Sequence, residues 1–152
     1  RITGLPHIET DKVIEEKEGM PISEIFAQKG ESYFRQLETN LLTALSTVKD
    51  RVVICTGGGM PMKEENRPII QDLGYVVWLR TPLDETLRRV SGNNDRPLLQ
   101  VDDPAAKIQS LMDERYPIYK EVSQFKVDTH DLSVSEIASG IIDSASYYFS
   151  EH

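Results

Sequence analysis

The sequence predicts a three-layer α/β/α domain, with helices on both faces of a mostly parallel sheet. Three observations lead there. Short apolar, β-branched runs alternate with segments whose apolar residues recur at three- and four-residue spacing. The runs Val52–Thr56 (VVICT) and Tyr75–Leu79 (YVVWL) are apolar at successive positions, the pattern of strands covered on both faces. Each is followed within a few residues by a proline, Pro61 and Pro82, which suits the first turn of a helix.

Taken in order, Leu5–Glu9 reads as a short strand, and Asp11–Glu18 as a brief helix stopped by Gly19. The segment "PISEIFAQKG" is helical through Ile22, Ile25 and Phe26 and ends at Gly30. From Glu31 to Lys49, Phe34, Leu37, Leu41, Leu42, Leu45 and Val48 mark one face of a strongly amphipathic helix. Arg51–Thr56 and Tyr75–Leu79 are buried strands, with Cys55 a small buried hydrophobe and Trp78 part of the core. Thr81-Pro82 caps another helix. Ser91–Asp103 breaks every periodicity and is the longest loop. Pro104 then opens a helix carrying Ile108, Leu111, Met112, Arg115, Tyr116 and Tyr119. Phe125–Thr129 is the last strand, and Ser133 with Glu136 forms a capping box before the terminal helix.

Composition excludes several classes. The chain has 152 residues, enough for one sizeable core, and one domain over 1–152 is the expectation. A net charge of −8 opposes non-specific binding to nucleic acid or an anionic membrane surface, so an anionic ligand must be held by local cations. No apolar run approaches the roughly 18 residues of a membrane span, and no secretory pattern opens the chain, which reads as soluble and cytoplasmic. A single cysteine excludes a disulfide framework and a cysteine-based zinc site. The opening "RITGLP" carries no methionine, and the expectation is that further residues precede Arg1.

In sheets of this kind, ligands lie beyond the carboxyl ends of the strands. Gly57, Gly58 and Gly59 follow a strand at that edge, where a bare backbone allows close approach and offers amide N–H groups. A tight turn alone would need only one or two of them. Glu9 and Asp11 fall at the same edge, and Asp11 is either a helix cap or an acceptor for a substrate hydroxyl. Arg35 lies at the margin of an apolar stripe, with Glu38 three residues on and able to pair with it. Of nine arginines, five (Arg80, Arg88, Arg89, Arg96 and Arg115) fall between positions 80 and 115; Arg80 and Arg88 read as solvated helix faces. Arg96, followed by Pro97, Leu98 and Leu99, combines a cation with an apolar latch, a device suited to phosphoryl transfer.

The ordered set "GLPHIETDKVIEEKEGMPISEIFAQKGESYFRQLE", "VVICTGGG", "RPLL" and "LMDERYPIYKEV" resembles the shikimate kinases nearly end to end. The resemblance implies a P-loop kinase-like fold and transfer of the ATP γ-phosphate to the 3-hydroxyl of shikimate, a magnesium-dependent step of aromatic amino acid (chorismate) biosynthesis, by a monomer. It implies that Asp11 binds and orients, or deprotonates, the attacking hydroxyl, and that Arg35 and Arg115 clamp the substrate carboxylate, a task for which arginine geometry is suited. Gly57, Gly58 and Gly59 would lie against the ring, so that side chains there would take the substrate's place. Arg96 would reach the ATP phosphates from a lid over about 91–103, with Arg89 on the phosphate or adenine side. Val127–Ser133 would lie around the adenine through its backbone, leaving His130 unassigned.

Two departures accompany the resemblance. Glu9 stands where the family usually has aspartate, in the magnesium shell through water, and is the metal candidate. The phosphate-loop pattern GxxxxGK[ST], which supplies backbone N–H groups, a lysine and a magnesium-binding hydroxyl, does not occur in these residues. The expectation is that it belongs to a preceding first strand and helix of on the order of 30 residues, and that the 152-residue chain alone is inactive and poorly stable. Two other readings stay open: a shikimate-kinase-like pseudoenzyme or carboxylate-binding module, against which Arg96 speaks, and another small-metabolite kinase of this fold, such as a gluconate kinase, against which the arginine pair and glycine triplet speak.

Overall fold

A computed structural model describes residues 1–90 and 102–152. Strand β1 (His7–Glu9) runs directly into helix α1 (Thr10–Glu18), and α2 (Ile22–Lys29) and α3 (Glu31–Leu45) follow. Strand β2 (Val53–Cys55) leads through the glycine turn and a single 3-10 turn at Met60–Met62 into α4 (Asn66–Leu73). Then come β3 (Val77–Arg80), α5 (Leu83–Val90), α6 (Pro104–Val122), β4 (Phe125–Asp128) and α7 (Val134–Glu151). Most of the expected loop Ser91–Asp103, including Arg96, lies outside the described residues; Asp103 caps α6 by accepting from the Ala106 N–H at 3.1 Å.

Every described strand pairing is parallel, as the sequence predicts. The described strands form two separate pairs, β1 with β2 (His7 opposite Val53, Glu9 opposite Cys55) and β3 with β4 (Val77 opposite Phe125, Arg80 opposite Asp128). This corrects the expected burial of the strands. Each described strand has a single hydrogen-bonded neighbour, so Val53 and Leu79 remain 43% and 54% exposed and Cys55 is exposed rather than a core hydrophobe. Arg80 ends a strand, where it meets Asp128 at 3.4 Å, and does not lie on a helix face.

The apolar stripe of α3 organises the interior. Phe34, Leu41 and Leu45 pack with Ile14 of α1 and Ile25 of α2, and Ile8 and Ile54 of the first strand pair close the cluster. Leu42, turned to the other side, packs with Met60 and Ile70. Ile25, Leu42 and Met60 are fully buried, and each such side chain contributes roughly 1.5–3 kcal/mol. The helix ends at Leu45, four residues before the predicted Lys49. There the Ser46 and Thr47 hydroxyls donate to the Thr43 and Ala44 carbonyls at 2.6 and 2.8 Å, closing the chain into a turn and leaving Val48 44% exposed.

The punctuation residues behave as their chemistry dictates. Gly19 ends α1 in the left-handed conformation, φ 70°, which a side chain would disfavour. Ser133 and Glu136 form the reciprocal capping box of α7. Asp11 is not a cap: Glu9 occupies that position without a side-chain cap bond, and Asp11 belongs to the first turn. No described helix is long and apolar enough to cross a membrane.

Candidate functional site

The carboxyl end of β2 meets the start of α1 through one contact. Thr10, fully buried, donates its hydroxyl to the Cys55 carbonyl at 3.2 Å. This fixes the first turn of α1 against the glycine turn, and Asp11, the next residue, is carried to Gly57. A Cβ built on Gly57 would lie 3.1 Å from Asp11 Oδ1 and 3.3 Å from Glu38 Oε2, tighter than ordinary van der Waals contact.

The other two glycines face the arginines. A Cβ on Gly58 would lie 2.8 Å from Arg115 Nη1 and 2.8 Å from the Tyr119 hydroxyl, and one on Gly59 would fall on the Arg35 guanidinium. None of the three has a positive φ. The triplet is therefore required by the approach of neighbouring side chains, and each member makes room for a different one. The space that side chains would fill is already occupied by Asp11, Glu38, Arg115, Tyr119 and Arg35, which refines the expectation that they would displace the substrate.

Gly59 has φ −84° and ψ −13°, which alanine adopts without strain. Gly59→Ala is expected to keep the fold, because the tip of Arg35 can move. It is also expected to weaken binding of an anionic ligand beside Arg35 by roughly 10-fold or more, about 1.4 kcal/mol, because that tip must leave its place. Thermal melting and calorimetric titration with a small hydroxylated ring carboxylate check the two halves; unchanged affinity would show that the position of Arg35 is immaterial.

Arg35 is aimed as the sequence predicts. Its Nη1 donates to Glu38 Oε1 at 2.6 Å, its Nη2 to Glu31 Oε1 at 3.2 Å, and its guanidinium lies 5.3 Å from the centre of the Phe34 ring. Glu38 is fully buried, and burial pushes its carboxyl above the usual range; Arg35 opposes that shift, and the nearby Asp11 charge adds to it. Glu38 Oε2 has no hydrogen-bonding partner among the described residues, which costs on the order of 1–3 kcal/mol unless a water or ligand donor meets it.

On the opposite wall, α6 presents Arg115 and Tyr119 one turn apart. The Tyr119 hydroxyl donates to the Gly58 carbonyl at 2.6 Å, and burial raises its pKa while the Arg115 charge beside it opposes the rise. Tyr116 donates to the Thr81 carbonyl at 3.1 Å, fixing α6 to the end of β3. Trp78, expected in the core, is half-buried and lines the cavity instead, edge-on to Tyr116 and Tyr119 with centroids 5.1 and 5.9 Å away. Behind the turn, Asn66 donates to the Met60 carbonyl and accepts from the Thr39 hydroxyl, both at 2.9 Å, joining the turn to α3.

Together these walls enclose a cavity of about 380 Å³ that brings Asp11, Arg35, Glu38, Gly57, Gly58, Gly59 and Arg115 to one place. Two cations and two carboxylates around a bare backbone suit a small anionic molecule that also carries hydroxyl groups. Of the remaining predicted residues, Arg89 and Glu9 lie elsewhere. Arg89 does not line this cavity: with Arg88 it holds Glu85, at 2.7 and 2.6 Å, and the two guanidiniums bring the Glu85 carboxyl down to about 2. Arg96 is outside the described residues. Glu9 faces Lys12 at 2.9 Å and His7 at 3.8 Å, and no three His, Cys, Asp or Glu side chains cluster as a metal site among the described residues.

Sequence reasoning missed Thr10, Asn66 and the contact of Tyr119. Only the last had a visible signal, the four-residue spacing from Arg115 on a helix.

Comparison with known proteins bears on what this cavity does. The family described as shikimate kinase matches residues 1–146. The shikimate kinase of Chromobacterium violaceum is 36% identical over 143 residues, covering 94% of this chain and 77% of that protein. That of Thermodesulfovibrio yellowstonii is 40% identical over 139 residues, covering 91% and 79%. Among solved structures, the shikimate kinase from Acinetobacter baumannii in complex with shikimate superposes with a TM-score of 0.89 at 35% identity, covering 93% of this chain and 78% of that one. The Bacteroides thetaiotaomicron shikimate kinase gives a TM-score of 0.82 at 29% identity, covering 97% and 86%.

Proposed function

This chain belongs to the shikimate kinase family, an ATP-dependent phosphotransferase family acting on an alcohol, and on that premise we propose how its own residues divide the work. The substrate is shikimate and the phosphate donor ATP. The reading rests above all on one observation: the Arg35 and Arg115 guanidiniums both close on the bare glycine turn whose first member abuts the Asp11 carboxylate.

In this reading Arg35 and Arg115 take the ring carboxylate, and Glu31 and Glu38 hold Arg35 in place beforehand. Binding energy is then not consumed in ordering that side chain. Asp11 accepts the hydrogen bond of the 3-hydroxyl and turns its oxygen toward the γ-phosphoryl group, so that the reaction gains from orientation and from withdrawal of the proton as the new O–P bond forms and the bond between the γ-phosphorus and the departing ADP oxygen breaks. Gly57, Gly58 and Gly59 give the ring a floor of backbone. For Arg96 and Arg89 the assignment to the nucleotide, Arg96 on the phosphates, rests on the family resemblance. Magnesium would belong with those phosphates, since it commonly binds one or two carboxylates, substrate phosphates and water, with Glu9 the candidate carboxylate through water; no cluster of three metal-ligating side chains occurs among the described residues. Residues 1–152 belong to a single kinase domain, which works as a monomer in the cytoplasm.

The test is ADP release by the full-length enzyme with ATP and magnesium, with and without shikimate. Shikimate-dependent release yielding shikimate 3-phosphate is expected. Release indifferent to shikimate, or dependent instead on gluconate, would remove the substrate assignment, and shikimate binding without turnover would make the chain a binding module.

A further inference from the structure

One polar contact in the cavity has no part in the division of labour above, the bond from the Tyr119 hydroxyl to the Gly58 carbonyl at 2.6 Å. A peptide unit is planar and trans, so its carbonyl and its N–H point in opposite directions. The Gly58 carbonyl and the Gly59 N–H belong to the same unit. Anchoring the carbonyl on the α6 side therefore turns the Gly59 N–H away from α6, on the residue whose α-carbon faces the Arg35 guanidinium. That N–H donates to no acceptor among the described residues. A glycine pair has little intrinsic preference for one orientation of the peptide between its members, so an external anchor has something to decide.

The same hydroxyl also bounds Arg115. Both lie 2.8 Å from the position of a Cβ on Gly58, and four residues separate them on α6, so one face of one helix supplies the cation and the peptide anchor together. The Tyr119 ring is held edge-on to Trp78, with centroids 5.9 Å apart, which fixes where the hydroxyl sits between the Gly58 carbonyl and Arg115.

We propose that Tyr119 is a positioning residue of the carboxylate clamp: through the Gly58 carbonyl it sets the Gly58–Gly59 peptide so that the Gly59 N–H joins Arg35 and Arg115 as a third donor to the substrate carboxylate. The proposal rests on the assignment of the clamp given above. It concerns recognition of the carboxylate and not the phosphoryl step, so its signature is confined to one substrate.

Tyr119→Phe in the full-length enzyme tests it, because the ring and its packing are kept and one hydroxyl is removed. The expected result is a KM for shikimate raised roughly 10-fold, with kcat and the KM for ATP within about 3-fold of wild type and the melting temperature nearly unchanged. A shikimate analogue lacking the carboxylate should inhibit wild type and variant equally. An unchanged KM for shikimate would overturn the proposal. So would a loss shared by shikimate, ATP and the carboxylate-free analogue, or a matching fall in melting temperature, since either describes a merely structural tyrosine. A wild-type enzyme that neither binds nor phosphorylates shikimate would instead overturn the clamp assignment itself, which is read before the variant is compared.

Discussion

Arg35→Ala is expected to raise the shikimate concentration needed for half-maximal turnover by on the order of 100-fold or more, while the requirement for ATP changes little. The magnitude follows from truncating one partner of a buried, hydrogen-bonded charge pair, about 2–5 kcal/mol. Two losses combine in it. The substrate carboxylate loses a donor, and Glu38, fully buried, loses the guanidinium 2.6 Å away that offsets its burial. The second loss has a pH signature. Burial already raises the Glu38 carboxyl above its ordinary 4.5, and without Arg35 it rises further. A folded state that binds a proton more tightly than the unfolded chain loses stability as pH climbs from the unfolded pKa through the folded one. The melting-temperature gap between wild type and variant should therefore be narrow below about pH 4.5, where Glu38 is protonated in both states, and widen toward neutrality. Melting curves across that range read the second loss and initial-rate kinetics the first. An unaltered shikimate KM would remove Arg35 from the clamp.

Asp11→Asn should lower kcat by about 10²- to 10⁴-fold, the range associated with a positioned general base, with the fold intact. Asparagine keeps the size of the side chain and its place in the first turn of α1, where no cap bond depends on it. It removes the capacity to take a proton. It also removes a like charge beside Glu38, which lowers the cost of ionising that buried carboxyl. Single-turnover measurement of phosphate transfer checks the first expectation and thermal melting the second. Normal turnover would place the hydroxyl's acceptor elsewhere.

The two variants probe parts of the site that differed in how far the sequence disclosed them. The pairing of Arg35 with Glu38 was legible because both lie on one helix three residues apart, and helical periodicity fixes such neighbours locally. The capping box of α7 and the glycine stop of α1 were legible for the same reason. What was not legible depended on residues distant in sequence. Val52–Thr56 has the composition of a strand buried on both faces, but how far it is buried depends on the elements packed over and beside it, and β2 has one described strand neighbour and an exposed Val53 and Cys55. Trp78 reads as core by its hydrophobicity, and only the placement of α6 beside β3 makes it a cavity wall. Thr10 and Asn66, which hold the turn to α1 and α3, are ordinary polar residues whose partners lie 45 and 27 positions away.

The glycine turn and the arginines beside it also share a single volume, and this makes them energetically non-additive. The Arg35 guanidinium occupies the space a methyl group on Gly59 would need, and the Arg115 and Tyr119 tips the space of one on Gly58. Once Arg35 has been truncated, alanine at position 59 meets nothing that it previously displaced, so the second substitution should cost far less than it does alone. Mutational tolerance at the turn is thus conditional on the clamp: a lineage that acquired a side chain at either glycine while keeping both arginines would have to swing the arginine tips out of place, and one that kept the tips in place could change the turn only by moving α3 or α6.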